Sequence, residues 1–225
     1  MNSNERRALA RECQIAAFGI VGALTIFKHL GAVIPLMAEH AATLAAALQL
    51  YGPLWWSDRK GLTRADLGLF WPKRGDLKLF ALFSILTVVP FAIGHHFWQT
   101  IVMHRSFAPR FPPGLAMEVA IQTLAVALPE ELFFRGYLQA RLEKLWPATK
   151  RLLGVPFGRA ALVTCAVFAL VHFMGEYRPD RLGPFFPAIA FAWLRTKTGG
   201  ISASVGYHAF CNLLSFAAFA SYARY

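Results

Sequence analysis

Three runs of the sequence set ionisable or hydrogen-bonding side chains inside otherwise apolar stretches. They are Pro129-Glu130-Glu131-Leu132-Phe133-Phe134-Arg135, Phe168-Ala169-Leu170-Val171-His172 and His208-Ala209-Phe210-Cys211-Asn212. On a helix, Glu131 and Arg135 stand four residues apart and share a face, so carboxylate and guanidinium can pair. Glu130 turns about 100° away from Glu131 and stays free to act as a base. His208 and Asn212 are also four apart on one face, which puts two hydrogen-bonding side chains in one polar pocket. A carboxylate with a histidine can activate water, and two donors can hold an oxyanion. Glu130, His172, His208 and Asn212 are therefore the candidate catalytic groups, with Glu131 and Arg135 supporting them. Together they equip a site for peptide hydrolysis without a nucleophilic side chain. Each run also has a plainer reading: an interfacial ion-pair cluster, a packing histidine, and a hydrogen bond between helices.

These groups must be positioned by helices, and the composition says in what medium. Of 225 residues, 56% are in the set AVILMFWYC and only 16% are charged, against about 25% in ordinary soluble domains. Mean hydropathy is +0.44. A disordered chain is excluded, and the reading is an all-α polytopic transmembrane helix bundle with its active site in an intramembrane cavity. About seven spans (six to eight) are expected, over 13–34, 35–56, 78–103, 114–145, 159–174, 185–196 and 201–222, each near the ~20 residues a bilayer core requires. The second closes on the interfacial pair Trp55-Trp56. Pro112-Pro113 opens the long fourth helix, which carries Glu118 above Glu130. Residues 57–77, 146–158 and 175–184 read as polar or Pro/Gly-rich loops. Two parts follow: N-terminal transmembrane helices over 1–112 and a catalytic helix core over 113–222.

Net charge is +11, but the cations are dispersed between apolar segments, which argues against a nucleic-acid partner and for contact with anionic lipid. With the N terminus in the cytoplasm, 17 of the 23 Lys and Arg residues fall inside and five, among them Arg224, outside. That asymmetry follows the positive-inside rule. Lys28 is left within the first span. The Arg-rich start followed by an apolar run resembles a signal peptide, but no clean cleavage site closes it, so it reads as an uncleaved first span. Cys13, Cys165 and Cys211 all lie in apolar stretches and read as buried thiols. His95-His96 and Glu39-His40 read as interfacial or packing groups.

Glu130-Glu131-x3-Arg135, Phe168-x3-His172 and His208-x3-Asn212, in that order, resemble the three signature motifs of the CPBP family. These are the type II CAAX prenyl proteases and bacteriocin-processing intramembrane proteases, with the myxosortases as relatives. The resemblance implies an intramembrane endopeptidase that cuts near the C terminus or the membrane segment of a membrane-anchored or lipidated protein or peptide. It implies that Glu130 and His172 activate water and that His208 and Asn212 hold the oxyanion. Glu131 and Arg135 become the supporting pair. No cofactor is favoured, because the chain lacks a His-Glu-x-x-His helix and Asn is a poor zinc ligand. A zinc version, with Glu130, His172 and His208 as ligands, is the alternative. A transporter and a non-catalytic membrane scaffold are rivals from other classes. The expected location is a prokaryotic inner membrane.

Overall fold

A computed structural model describes residues 1–110 and 112–223; Arg224 lies outside the described residues. Seven helices follow one another: α1 (Ser3–Leu30), α2 (Pro35–Arg59), α3 (Arg74–Val102), α4 (115–145), α5 (Arg159–Glu176), α6 (Phe185–Thr198) and α7 (Ser202–Phe219). Among the described residues, strand is confined to two short antiparallel pairs, Ser106–Phe107 with Tyr222–Ala223 and the hairpin Arg151–Leu152 with Val155–Pro156. The seven expected spans fall on these helices.

Local chemistry sets the helix ends. Asn2 caps α1 through its side-chain oxygen, and Glu5 returns a bond to the Asn2 N–H at 2.9 Å, satisfying two otherwise orphaned donors. Pro35 occupies the first turn of α2, where its missing N–H costs nothing. Gly199 closes α6 in the left-handed region, where glycine carries no Cβ penalty. Loop 57–77 is shorter than expected, because α2 runs on to Arg59 and α3 starts at Arg74.

Helix α4 is the axis of the bundle, and α1, α2, α5, α6 and α7 pack around it. It is not uniformly wound. Residues Ile121–Ala127 and Leu132–Gln139 adopt wide π turns on either side of the α-wound Leu128–Glu131. Pro129 lies in that middle segment and has no N–H to give to the preceding turn, one of the few causes of irregular winding. Such wide turns occur often at functional sites. The loop before α3 crosses α4 at Gly136, where an added Cβ would stand 2.7 Å from the Leu67 carbonyl. Glycine is the residue that admits this approach, which buries Leu67.

Polarity is arranged inside out. Phe18, Ile85, Leu86, Val89 and Ile93 lie exposed, whereas Glu131, Arg135, Gln139, Thr164, Ser204 and His208 are buried. Among the described residues, three helices, α1, α3 and α5, are long and apolar enough to cross a membrane by themselves, and only 6% of the apolar window of α3 is buried in the protein. A bundle that turns hydrocarbon outward and encloses ionic groups suits a lipid solvent, and the chain is an integral membrane protein. The 14 residues of α6 rise only about 21 Å, short of the ~30 Å hydrocarbon core, so α6 serves as an internal element of the bundle. Arg135, reckoned among the cytoplasmic cations, is buried at the bundle's centre and belongs to the site instead.

Candidate active site

The α-wound segment of α4 presents its two carboxylates in different directions. Glu131 points into the bundle, where its Oε1 accepts from Arg135 Nη1 at 3.0 Å and from His208 Nδ1 at 2.9 Å. Both Glu131 and Arg135 have side chains 0% exposed. The expected pairing is therefore present, and it is fully desolvated. The guanidinium carbon of Arg135 lies 4.5 Å from the Phe168 ring centroid and 5.1 Å from that of Phe191. Two aromatic faces thus supply part of the solvation that water would otherwise give the cation.

Glu130 turns the other way. It lines a cavity of about 560 Å³ walled by α1, α2 and α5, and His172 lines the same cavity. Glu130 Oε2 is enclosed and has no hydrogen-bond partner; His208 Nε2 lies 3.7 Å from it. His172 Nδ1 bonds the Phe168 carbonyl at 2.9 Å, one turn back on α5. In that tautomer Nδ1 donates, and Nε2 keeps a lone pair. The wall from α2 is built of small residues, Ala38, Ala41, Ala42 and Ala45, with Gly31 in the turn before it, which keep the space open.

His208 sits between the two carboxylates of α4. Its ring stacks on Phe191 at 4.6 Å and 17°, and meets Phe168 edge-on at 5.7 Å. It stands behind Glu130 and is not part of the cavity wall. Asn212, one turn on, donates from Nδ2 to Gln122 Oε1 at 2.8 Å, and Gln122 donates in turn to Glu118 at 2.8 Å. The structure therefore brings Glu130 and His172 to one cavity. It joins Glu131, Arg135 and His208 into one buried cluster behind it, and places Asn212 on a separate polar chain running up α4. Glu118 belongs to that chain rather than to the cavity wall.

Sequence reasoning passed over several participants. Gln122 and Phe191 have no spacing signal, because their roles depend on contacts across helices. Lys28 was visible as a charge in a span, but its presence on the cavity wall with Glu176 and Arg181 was not. His95 and His96 are packing groups as read: His95 meets Phe91, Phe219 and Tyr222, and His96 bonds the Tyr222 hydroxyl at 2.9 Å. Glu39 and His40 lie on the surface.

For zinc, the requirement is three protein ligands converging on one point. Among the described residues, no group of three His, Cys, Asp or Glu side chains is arranged to hold an ion. Within the set Glu130, His172 and His208, the Nδ1 of His208 is bonded to Glu131 and the Nδ1 of His172 to a backbone carbonyl, bonds that orient a ring and leave its Nε2 open. His208 stands outside the cavity that Glu130 and His172 line, so the three do not converge as placed, and no step is derived through an ion.

No curated protein and no solved structure matches the chain. One family model does, and its match spans all three motifs together with the helices that carry them. Residues 112–214 match the model of the family described as Type II CAAX prenyl endopeptidase Rce1-like, the family whose motifs the three polar runs resemble.

Proposed function

We propose that the chain hydrolyses peptide bonds within the membrane by general-base catalysis, with Glu130 as the base and His172 as its partner on the attacking water. The observation that carries this reading is Glu130 itself: a carboxylate on a cavity wall, with an enclosed oxygen that nothing in the protein satisfies. Buried polar atoms without partners are rare, and an unexplained one points to a missing ligand or a catalytic task.

The steps balance as a hydrolysis. A water bridges Glu130 and the lone pair of His172 Nε2. Glu130 takes one proton, and the water oxygen adds to the scissile carbonyl. His208, held at Nδ1 by Glu131, comes forward from behind Glu130 as that side chain moves onto the water, and in its imidazolium form offers Nε2–H to the developing oxyanion. Asn212 supplies the second donor by exchanging Gln122 for that oxygen. Glu130 then returns its proton to the leaving nitrogen as the C–N bond breaks. Glu131 and Arg135 act as positioning residues, because they hold His208 and touch no reacting atom. No metal is assigned a role.

The family supports a CAAX-type endopeptidase in general. The substrate we infer is a membrane-anchored or lipidated protein or peptide, cut near its C terminus or membrane segment: a prenylated CAAX tail, a leader, or a C-terminal sorting signal. We place the enzyme in a prokaryotic inner membrane with its N terminus in the cytoplasm, since removing Arg135 from the inside charges leaves the asymmetry of cations intact.

The test is cleavage of membrane-anchored peptide reporters by purified protein, comparing wild type with Glu130→Gln and His172→Ala, with and without a strong chelator. Loss in both variants with cleavage preserved in chelator supports the glutamate mechanism. Full cleavage by Glu130→Gln overturns it, and chelator inhibition rescued by Zn²⁺ replaces it with the metal mechanism.

A further inference from the structure

The seam between α1 and α2 holds two spaces, and the proposed mechanism uses only one. The Glu130 cavity takes the part between Leu24 and Lys28 of α1 and Ala38 and Ala45 of α2. A second, apolar groove of about 370 Å³ takes the rest, along α1 from Glu12 to Ala23 and along α2 from Leu48 to Trp56. Its floor is Phe133 and Tyr137 of α4, both buried, while Ile15, Leu48 and Trp55 on its flanks lie exposed. The groove is therefore open on the side that faces lipid. From Glu12 to Ala23, α1 rises about 16 Å, close to half of the ~30 Å hydrocarbon core, so the groove has the depth of one leaflet.

One end of the groove is basic. Glu12 is the one charge among the described residues that line it, and Arg141 forks onto both of its oxygens, at 2.8 and 3.0 Å. Two further cations stand at the same end. The guanidinium carbon of Arg59 lies 4.0 Å from the Trp55 ring centroid, and Lys60 Nζ lies 5.5 Å from that of Trp56. Both indoles line the groove. Lys60 comes within 4.0 Å of Glu12, whose charge Arg141 already meets. Asp58 is taken by Arg64 at 3.0 Å. Among the described residues, Arg59 has no acidic partner within ion-pair distance. Arg59, Lys60, Arg64 and Arg141 thus stand against Glu12 and Asp58, an excess of two positive charges beside an interfacial tryptophan pair.

An apolar slot one leaflet deep, with cations at the interface, suits a hydrocarbon chain that carries an anionic head. We propose that this groove binds one acyl chain of an anionic membrane phospholipid, with the phosphate held by Arg59 and Lys60. Hydrocarbon gains little by leaving the bilayer for an apolar groove, so the cations supply the preference. Arg59 offers a planar fork to the phosphate oxygens, and Lys60 adds a compact point charge. The basic end lies at the far end of the groove from the Glu130 cavity, so a hydrocarbon chain entering from that cavity would leave these cations unused. Phe133 and Tyr137 belong to the wide-turn segment Leu132–Gln139. A lipid seated over them closes the gap between α1 and α2 and braces the irregular part of α4.

The experiment uses the full chain, delipidated in neutral detergent. The probes are phosphatidylglycerol and phosphatidylcholine with the same brominated acyl chains, which quench the tryptophans they touch. Saturable quenching gives the two dissociation constants, and phosphatidylglycerol is expected to bind about tenfold tighter. Gly19 lines the groove, and a Cβ added there meets nothing within 4 Å. Gly19→Leu therefore fills the slot without a clash and gains helix propensity. It is expected to lose most of the saturable quenching, with a lipid-free melting temperature no lower than wild type. Arg59→Gln with Lys60→Gln leaves the groove open and is expected to bring phosphatidylglycerol down to the affinity of phosphatidylcholine. That variant decides the matter if Gly19→Leu does not fold. Equal affinities of the two lipids for wild type overturn the inference, and so does saturable quenching that survives Gly19→Leu. Glycerol 3-phosphate, a head without a chain, is expected not to compete, and competition by it overturns the lipid assignment. Displacement of phosphatidylglycerol by a prenylated peptide overturns it as well and gives the groove to the substrate.

Discussion

Helix α4 takes part in two buried carboxylate clusters, and they differ in completeness. In the first, Glu12 of α1 meets Tyr137 and Arg141 of α4. Its Oε1 accepts from the Tyr137 hydroxyl at 2.9 Å and from Arg141 Nε at 2.8 Å, and its Oε2 accepts from Arg141 Nη2 at 3.0 Å. Lys60 approaches to 4.0 Å. Both oxygens are served, and the fork of the arginine meets the carboxylate squarely. In the second, Glu131 Oε2, Glu130 Oε2 and Arg135 Nε are all enclosed without partners. A satisfied buried cluster is a rivet, here between α1 and α4. An unsatisfied one stores free energy that packing elsewhere must offset, and it persists where chemistry needs groups left available.

The contrast can be broken most sharply at Glu130. Glu130→Gln keeps the shape and removes the base, so peptide cleavage should fall by about 10²–10⁴-fold, the usual worth of a positioned general base. Thermal unfolding in detergent should show no loss of stability, because the neutral amide is cheaper to enclose than a carboxylate without a partner. A large loss of stability in this variant would mean that the second cluster is a rivet as well.

Arg135 tests the same cluster from its supporting side. Arg135→Leu strands the Glu131 carboxylate, and a charge buried without its partner costs about 3–5 kcal/mol. Cleavage should be lost along with stability. The double change Arg135→Leu with Glu131→Leu should recover most of the stability, since a buried ion pair is often replaceable by apolar side chains. It should recover none of the cleavage, because His208 then has no carboxylate to hold it. Recovery of both would show that neither charge is needed to place the histidine.

How far the sequence foretold these clusters follows from the range of the contacts in each. Glu131 and Arg135 lie on one helix at a spacing that brings them together wherever the helix goes, so the pair was readable. Helix positions were readable for a similar reason, because apolar runs of span length and Pro or Gly punctuation are local. The winding of α4 was not, since wide turns around Pro129 depend on neighbours such as the loop over Gly136. Glu12 and Tyr137 are 125 residues apart, and nothing in an Arg-rich N-terminal segment marks one carboxylate as buried. Asn212 was placed on the correct face with His208, but its partner Gln122 comes from another helix, 90 residues earlier. Spacing along one helix was legible. Pairing between helices was not, and the division between rivet and catalytic site depends on that pairing.

The first cluster should respond to mutation in the opposite sense to the second. Glu12→Gln keeps an acceptor for Tyr137 but loses the charge that Arg141 binds, and the expected cost is about 1–3 kcal/mol of stability. Cleavage by the protein that remains folded should stay within a few-fold of wild type, measured below the unfolding temperature.

Tyr137→Phe is the mildest change and the finest probe of the comparison. The ring stays packed beside Phe133, and only the hydroxyl is removed. Glu12 Oε1 still accepts from Arg141, so no buried acceptor is abandoned, and the loss should be about 0.5–1.5 kcal/mol, that of one hydrogen bond. A double-mutant cycle with Arg141→Met then reads whether the two donors act together. If the cluster is a cooperative rivet, the Tyr137→Phe cost should change once Arg141 is gone, because the remaining hydroxyl becomes the main support of a buried carboxylate. Strict additivity would mean that the two donors act independently on Glu12. A drop in cleavage larger than the drop in folded protein would show that the α1–α4 tie reaches Glu130 through the winding of α4, and the two clusters would then have to be treated as one.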